Sequence, residues 1–442
     1  MPVPIICLEI TLSQYAETFR QVFTLPQFRH FVTVPSALLR TGLLGFMLTP
    51  ERRTLTGLLS RVAGVRSLSV LSRFFSQAPW SPQKLAHTWL QRFRQQLIPQ
   101  VLAEHQRQRA RRPLKRGRPQ DTQVTAFAIF DDTTISKHLQ GKPGRHMEGI
   151  GHHYSTTAGG IVEGHSLVVG LLELLGRRCP LPPMLYRQKA VAEAEGVPFQ
   201  SKVDLVVEAV EALTPIPGTR THILVDAWYT CYRLWRTCLE QGFAITGGLK
   251  VNRWLRLPDP QQPGHWQKVR ISNYIAQLQS GDFVMVPWRG RLVAAHLVRT
   301  FVYKLGACQV LVVKESPEAP GEKGRCWATS DLKADVATVA NYAAQRWDIE
   351  TFIEDAKGLL GLDHYQITST EGVIRFCHMV CCCYLYLDEV RAGLVARGQE
   401  GATIGDALRF QQRGQYSLLL QWLWEQFAQG RSVQEVEALL AA

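Results

Sequence analysis

Short apolar runs alternate with longer segments of helical periodicity through the middle of the chain. Residues 126–130 (Ala-Phe-Ala-Ile-Phe) and 222–225 (His-Ile-Leu-Val) are short, apolar and directly followed by aspartate, which is typical of buried strands. Between them, residues 151–157 and 162–174 predict two further strands, and residues 202–212 predict a helix. Strands and helices in this order predict a mixed α/β sheet.

The pattern changes after residue 250. Within residues 251–325, β-branched and aromatic runs at 282–286, 291–303 and 307–313 are separated by Gly and Pro, as strands joined by hairpins require. We therefore predict a β-rich insertion in the α/β core. Residues 334–360 lack Pro and carry apolar residues at spacings of three and four, which predicts one continuous helix.

Near the start of the chain, residues 54–80 predict a helix, a turn at Gly64 and a second helix. A DNA-reading helix-turn-helix has this form, and its second helix enters the major groove. The residues nearest DNA would then be Arg66, Ser67, Ser69 and Arg73. The connection is about one residue longer than in the usual motif, and a small helical bundle fits the pattern equally well.

The last part of the chain reads as helices, with Trp422, Trp424 and Phe427 on one apolar face. Such a face suits packing onto the core as well as contact between subunits. At 442 residues the chain exceeds the usual size of a single domain, so several parts are expected. They are a helical DNA-binding domain (1–105), a basic linker (106–120), an α/β core in two parts (121–250 and 326–370), the β-rich insertion (251–325) and a C-terminal helical region (371–442).

Charge points to a polyanionic partner. The chain has 50 Lys and Arg against 37 Asp and Glu, a formal charge of +13, which favours nucleic acid. Positive residues concentrate in 107–118, and Arg112, Lys115 and Arg116 are candidates for contact with the DNA backbone. The alternative is a solvated segment between domains that makes no defined contact.

The ten cysteines lack paired metal spacing, and four of them fall in the apolar helical segment 373–387. Free core thiols in a reducing cytoplasm explain them, with a structural zinc site as the remote alternative. Residues 1–10 lack the features of a cleavable signal, and no run of about 18 apolar residues would span a bilayer. We therefore expect a cytoplasmic, DNA-associated protein with no membrane partner.

Three carboxylates carry the candidate chemistry: Asp132 and Asp226 follow predicted strands, and Glu350 lies in the predicted helix 334–360. A single Asp after a strand is often a turn or cap residue, but three acids brought together repel one another and bind hard cations such as Mg²⁺. Two such ions, about 3.5–4 Å apart, activate a water or 3′-hydroxyl and stabilise the leaving oxygen of a phosphodiester. The pattern therefore predicts a two-metal site that cuts phosphodiesters.

Neighbouring residues compete for these roles. Strand alternation sends Asp131 and Asp132 to opposite faces, so we expect one of them to be structural. Glu354 is the rival of Glu350 on the same side of the helix. On an ideal helix, Arg346 lies about −40° and Lys357 about −20° from Glu350, so the three share one face. Such a face is also typical of a solvated ion-pairing surface.

These residues resemble bacterial insertion-sequence transposases of the DDE type, in the group marked by a Tyr-Arg-Glu-Lys signature near the third carboxylate. The resemblance covers roughly residues 120–370. It includes Thr133 and Thr134 after Asp132, the match that favours Asp132 over Asp131, together with Trp228 and Tyr229 after Asp226 and the spacing of Arg346, Glu350 and Lys357. The family pattern has two residues between the Tyr and the Arg, whereas three separate Tyr342 from Arg346.

The resemblance implies an RNase H-like core with a β-rich insertion, in which Asp132, Asp226 and Glu350 hold two Mg²⁺, with Mn²⁺ able to substitute. The implied function is a DNA transposase that binds the ends of an insertion sequence, hydrolyses phosphodiester bonds and transfers the freed 3′-OH to target DNA, by a cut-and-paste route with a hairpin intermediate. The implied partners are double-stranded DNA and a second subunit in the DNA complex. The candidate DNA-binding residues in the core are Arg346, Lys357, Tyr342, Lys250, Arg253 and Trp228.

Two alternatives remain open from the sequence. One is an RNase H-like, metal-dependent DNA nuclease that lacks strand transfer. The other is an inactive DNA-binding relic. Trp228 and Tyr229 are as well explained as core aromatics, and Lys250 and Arg253 as a surface turn.

Overall fold

The computed structural model describes residues 12–22, 35–49, 52–59, 67–111, 123–137, 147–259, 262, 264–321 and 324–441. The α-helices are α1 (Leu12–Thr18), α2 (Pro35–Leu48), α3 (Leu55–Leu59), α4 (Leu68–Ser76), α5 (Pro82–Arg92), α6 (Ile98–Arg111), α7 (Lys189–Ala194), α8 (Lys202–Glu211), α9 (Tyr232–Glu240), α10 (Ile271–Gln277), α11 (Val336–Gln345), α12 (Asp348–Gly358), α13 (Thr370–Ala396), α14 (Ile404–Ala428) and α15 (Val433–Ala441). Short 3₁₀ turns at Arg20–Val22 and Ser280–Asp282 and a π-helical turn at Phe93–Leu97 complete the helical elements of the described residues.

The strands are β1 (Val124–Ser136), β2 (Gly151–Ser155), β3 (Gly160–Leu174), β4 (Arg177–Pro180), β5 (Met184–Tyr186), β6 (Thr219–Val225), β7 (Ala244–Leu249), β8 (Trp254–Pro258), β9 (Trp266–Arg270), β10 (Val284–Trp288), β11 (Arg291–Val302), β12 (Gly306–Lys314) and β13 (Arg325–Thr329). They form one sheet in the order β2-β3-β1-β6-β7-β13-β12-β11-β8-β9, with β4 and β5 paired to β3 and β10 paired to β11.

The sheet is mixed, which confirms the predicted α/β class. β6 pairs in parallel with both β1 and β7, and the other pairings are antiparallel. The insertion strands predicted at 282–286, 291–303 and 307–313 are β10, β11 and β12, and they extend the same sheet through β13. The β-rich segment is therefore continuous with the core sheet in hydrogen bonding.

The helices near the start of the chain pack around α13. The Tyr15 hydroxyl donates to the Cys382 carbonyl at 2.8 Å, and the Arg375 guanidinium donates to the carbonyls of Phe75 and Trp80 at 2.9 and 3.1 Å. The Trp89 indole donates to the Pro180 carbonyl at 2.9 Å, which joins α5 to the sheet. One apolar core therefore runs from α1 through α13 into the sheet.

Buried ion pairs fasten α13 to the sheet. Asp388 is fully buried and accepts hydrogen bonds from Arg177 of β4 at 2.8 Å and from Arg391 at 2.7 Å. Although burial opposes ionisation, these two guanidinium groups hold the pKa of Asp388 below its ordinary value. The α13 cysteines Cys377, Cys381, Cys382 and Cys383 are buried free thiols, as predicted.

The helix predicted over 334–360 is two helices, α11 and α12. At the junction the Trp347 amide donates to the Ala344 carbonyl at 3.1 Å, and the Ile349 amide donates to the Arg346 carbonyl at 3.3 Å. These three-residue hydrogen bonds mark a turn tighter than an α-helix. The side-chain directions calculated for one ideal helix therefore do not apply across this junction, which separates Tyr342 from Glu350.

The two helices of the predicted helix-turn-helix are α3 and α4, and the connection that contains Gly64 and Arg66 lies outside the described residues. Ser67 caps α4 by accepting a hydrogen bond from the Val70 amide at 3.4 Å. α4 buries Leu71, Phe74 and Phe75, and its other side exposes Ser69 and Arg73. A surface on α4 is therefore open to a partner, and its DNA-reading role remains a prediction. No helix in the described ranges has both the length and the apolar character to cross a membrane.

Candidate active site

The parallel pairing of β1 and β6 places two aspartates side by side. Phe130 is the register partner of Val225, so the next residues, Asp131 within β1 and Asp226 directly after β6, lie at the same level and on the same face. Burial and the charge of Asp226 raise the pKa of Asp131 to about 7. A cation bound next to Asp131 would stabilise the ionised carboxylate and lower this pKa.

Arg346 connects Asp131 to the third acid. Its Nη1 donates to Asp131 Oδ2 at 3.1 Å, and its Nη2 donates to Glu350 Oε1. The three side chains are only 18–27% exposed. Arg346 lies in the turn before α12 and Glu350 lies in its first turn, so the junction between α11 and α12 brings Arg346 to Asp131 of β1 and Glu350 to Arg346.

Asp132 lies on the other face of β1. Its Oδ2 is 2.5 Å from Lys202 Nζ, at the start of α8, and its Oδ1 accepts a hydrogen bond from the Tyr229 hydroxyl at 2.9 Å. Alternation along the strand separates the two aspartates, as predicted. The Asp-Thr-Thr match predicted Asp132 as the site residue, but the register with β6 turns Asp131 toward the Asp226 and Glu350 side.

A short loop after β6 fixes Asp226. Its Oδ1 accepts hydrogen bonds from the amides of Trp228 and Tyr229 at 2.9 and 3.0 Å, and its carbonyl accepts one from the Thr230 hydroxyl at 2.8 Å. In the part of the chain that the structure describes, Asp226 Oδ2 accepts no hydrogen bond. The loop therefore orients this carboxylate and leaves one oxygen for a ligand.

The helix that carries Glu350 is held against β1 by Lys357, whose Nζ donates to the Thr134 carbonyl at 2.8 Å. Burial lowers the pKa of Lys357. Glu354, the rival of Glu350, is exposed. Glu350 is thus the acid of this helix that contacts Arg346, and the DNA-binding role of Arg346 and Lys357 remains a prediction.

Tyr342 is not on the site surface. Its ring is buried against His222, with 4.2 Å between ring centroids, and its hydroxyl donates to Asp331 at 3.3 Å. The prediction that Tyr342 contacts DNA is therefore wrong for this structure. The extra residue before Arg346, together with the turn between α11 and α12, directs this side chain into the core.

Basic and aromatic residues adjoin the Asp226 loop. Trp228 is 63% exposed, and Lys250 Nζ lies 5.4 Å from the centroid of its ring, whereas Tyr229 is buried. Arg253 Nη2 donates to the Thr230 carbonyl. These positions keep Trp228 and Lys250 available to a ligand, and they give Arg253 a role in holding the loop. The predicted contacts of Arg112, Lys115 and Arg116 lie outside the described residues.

The donor chemistry of the site suits a hard divalent cation, because all three acids offer carboxylate oxygens. Within the described ranges, no three His, Cys, Asp or Glu side chains lie close enough together to form a metal-binding group. The guanidinium of Arg346 lies between Asp131 and Glu350 and supplies the positive charge there. The carboxylate donors are of the type that a hard cation prefers, but in this structure Arg346, and not a shared position for a cation, connects Asp131 to Glu350.

The positions of two residues in this arrangement depend on contacts that local sequence patterns do not report. The Asp131 assignment needed the long-range register of β1 with β6, although strand alternation had identified it as the competitor of Asp132. Lys202 lies 70 residues from its partner Asp132 and carries no local signal, because a lysine at the start of a helix is ordinary.

Two comparisons with protein families agree with this geometry. The family described as DDE superfamily endonuclease matches residues 28–270, and the family described as transposase DDE domain matches residues 201–386. Together the matches span all the acids discussed above, and neither shows the Tyr-Arg-Glu-Lys group. A search of curated proteins finds no match. Since the first family matches more than half of the chain, and the mixed sheet flanked by helices is consistent with an RNase H-like fold, this protein belongs to the DDE superfamily of transposases and endonucleases.

Proposed function

We propose that this protein is a DNA transposase that binds the ends of an insertion sequence, hydrolyses phosphodiester bonds and transfers the freed 3′-OH ends to target DNA. One observation carries the proposal. Asp131, within β1, lies beside Asp226, which directly follows the parallel strand β6, and Arg346 joins Asp131 to Glu350. Family membership makes DNA the expected substrate of that site.

Asp131, Asp226 and Glu350 are the residues that would hold two Mg²⁺ ions, with Mn²⁺ as a substitute. Bound there, the ions supply an activated water or 3′-hydroxyl and stabilise the leaving oxygen. The protein contributes the positions of the acids: the loop amides orient Asp226, and Lys357 keeps α12 against β1. In this proposal Asp131 takes the place predicted for Asp132. Asp132 instead connects β1 to Lys202 of α8 and to Tyr229 of the loop after β6.

The DNA would approach the surface next to Asp226. Trp228 and Lys250 are exposed there and suit an unpaired base and a phosphate. The positive charge of the chain favours association with duplex DNA. We further propose that the exposed side of α4 reads the element ends, that two subunits act together on DNA, and that the protein works on chromosomal DNA in a bacterial cytoplasm.

The test is a Mg²⁺-dependent cleavage and joining assay on duplexes that carry the DNA flanking the gene. Wild type is compared with Asp131→Asn, Asp132→Asn, Asp226→Asn and Glu350→Gln, and the exposed Glu354→Gln is the matched control. We expect discrete cutting and joining by wild type and by the Glu354 variant. The Asp131, Asp226 and Glu350 variants should lose both activities.

The outcomes separate the alternatives. Cutting without joining would support the nuclease, and DNA binding without either activity would support the relic. Loss of activity in Asp132→Asn with full activity in Asp131→Asn would return the site to Asp132. A readout independent of activity is the stabilisation by added Mg²⁺, which a bound ion confers by mass action and which the Asp131 variant should not show.

A further inference from the structure

The junction between α11 and α12 joins helices that pack in two different apolar cores. Ala340 and Ala343 of α11 pack with β10, β11 and β12 of the insertion in a small core. Ile349 and Phe352 of α12 pack in the large core that contains the first strands of the sheet. Arg346 lies between the two helices, so its position depends on how the two cores are joined.

A hairpin turn of the insertion reaches this junction. Two residues, Arg289 and Gly290, connect β10 to β11. The guanidinium carbon of Arg289 lies 4.1 Å from the ring centroid of Trp347, the residue after Arg346, which is well within the range of a cation–π contact. Burial raises the pKa of Asp348, and the charge of Arg289 is among those that oppose the rise. The insertion therefore contacts the turn that precedes the third acid of the site.

The backbone of this hairpin turn does not favour arginine. Arg289 and Gly290 have φ of +49° and +79°, the signs found in a type I′ turn, for which Asn-Gly is the preferred pair. A residue with a Cβ is uncommon in this left-handed region. The turn between β3 and β4 has the same form, with Leu175 and Gly176 at φ of +50° and +80°. The contact with Trp347, and not the turn itself, is therefore what Arg289 contributes to the structure.

The other side of the sheet holds the junction through a separate contact. Arg178 of β4 donates to Asp348 Oδ1 at 3.0 Å. Trp347 thus contacts the insertion, while the residue after it contacts a strand outside the insertion. Arg346, directly before Trp347, donates to two acids of the proposed site. A shift of the junction would therefore move Arg346 and Glu350 relative to β1.

We propose that Arg289 is a positioning residue of the active site. By stacking on Trp347 it couples the insertion to the junction and keeps Arg346 and Glu350 in place relative to Asp131. The proposal rests on the proposed function, since it takes Glu350 as a residue of the site. It gives the insertion a part in catalysis that requires no contact between Arg289 and DNA.

The test pairs a substitution in this turn with the same substitution in the other turn. Arg289→Asn removes the guanidinium and supplies the residue that the turn prefers, and Leu175→Asn makes the matching change between β3 and β4. Arg289→Lys retains a cation, and Arg291→Ala removes an exposed cation from the same hairpin. The measurements are the unfolding temperature, the affinity for the duplexes of the cleavage assay, and the single-turnover rate of cleavage at saturating duplex.

We expect stability and activity to separate in Arg289→Asn. Its unfolding temperature should not fall, because relief of the left-handed backbone offsets loss of the cation–π contact. Its cleavage rate at saturating duplex should fall about 10- to 100-fold through displacement of Glu350, with unchanged duplex affinity. Arg289→Lys should recover most of the rate, and Leu175→Asn and Arg291→Ala should cut at the wild-type rate.

A double variant tests whether the effect passes through the tryptophan. Trp347→Ala should slow cleavage at least as much as Arg289→Asn does. Because both substitutions remove the same contact, adding Arg289→Asn to Trp347→Ala should slow cleavage no further. Rate losses that multiply in the double variant would show that Arg289 acts elsewhere and would overturn the proposal.

Hydrogen exchange follows the same contact without catalysis. It is measured in EDTA, without DNA, on a peptide of residues 344–352, which includes the Trp347 and Ile349 amides that close the turn. Loss of one cation–π contact should speed exchange of this peptide about 2- to 30-fold in Arg289→Asn, because exchange reports local opening. Exchange should stay at the wild-type rate in Leu175→Asn.

The two measurements keep this proposal separate from the proposed function. If exchange rises in Arg289→Asn but wild type neither cuts nor joins DNA, the transposase proposal fails and the coupling of Arg289 to the junction stands. If wild type cuts and joins DNA while Arg289→Asn matches it in exchange and rate, only the positioning role fails. A loss of rate explained by weaker duplex binding, or by a lower unfolding temperature, would also overturn it.

Discussion

Asp131→Asn should make the protein more stable at alkaline pH while it removes activity. Asp131 faces Asp226 and Arg346 and lies next to Asp132, and burial with the charge of Asp226 raises its pKa from 3.8 to about 7. One pKa unit corresponds to about 1.4 kcal/mol, so ionising this group costs the folded protein up to about 4 kcal/mol. The stability that neutral Asp131 contributes is complete below its unfolded pKa and is lost as pH rises through about 7.

The assay is urea denaturation of wild type and Asp131→Asn in EDTA at about pH 4.5 and pH 8, on either side of that titration. Asparagine is neutral at every pH, so the variant does not lose this stability as pH rises. The free energy of unfolding of the variant minus that of wild type should therefore increase by about 2–4 kcal/mol from the lower to the higher pH. Titrating groups that do not interact with Asp131 cancel in the difference. Glu354→Gln controls for the loss of one exposed charge. If the difference in free energy of unfolding between Asp131→Asn and wild type changes by less than about 1 kcal/mol between the two pH values, the reasoning is refuted.

Two further predictions concern contacts that hold α12 and α13. Lys357→Ala removes the hydrogen bond to the Thr134 carbonyl, so Glu350 should shift and single-turnover cleavage should slow by about tenfold or more. The affinity of this variant for duplex DNA should stay near that of Lys333→Ala, which removes an exposed lysine as a control. A loss of duplex affinity as large as the loss of rate would instead show that Lys357 binds DNA. Asp388→Ala leaves Arg177 and Arg391 without their buried partner and should lower the free energy of unfolding by about 3–5 kcal/mol. Because the pKa of Asp388 is depressed, its contribution to stability is present above the unfolded pKa and is lost as pH falls through the lower folded pKa. Denaturation of wild type and variant at two pH values checks both points. A decrease in the free energy of unfolding of less than about 1 kcal/mol would contradict the prediction.

The sequence predicted elements whose signal is local. The apolar runs of β1 and β6, the strands of the insertion and the helix α8 all appear near their predicted positions, because alternation and apolar periodicity are local properties of the chain.

The site needed information that is not local. Alternation separates Asp131 from Asp132, but only the pairing of Phe130 with Val225 decides which of them meets Asp226. Tyr342 was misplaced because the periodicity of 334–360 continues through a turn that breaks the helix between Gln345 and Asp348. Apolar spacing alone does not report a change from four-residue to three-residue hydrogen bonds.

The shared core of the N-terminal helices and α13 bears on how such an enzyme could be retargeted. Tyr15, Phe75 and Trp80 are bonded directly to α13, so replacing the helices before residue 112 with those of another transposase would uncover the apolar surface of α13. A modular exchange of these helices would therefore remove contacts that stabilise α13. Under the proposal that α4 reads the element ends, retargeting would proceed through its exposed positions, such as Ser69 and Arg73, changed one at a time on an intact scaffold.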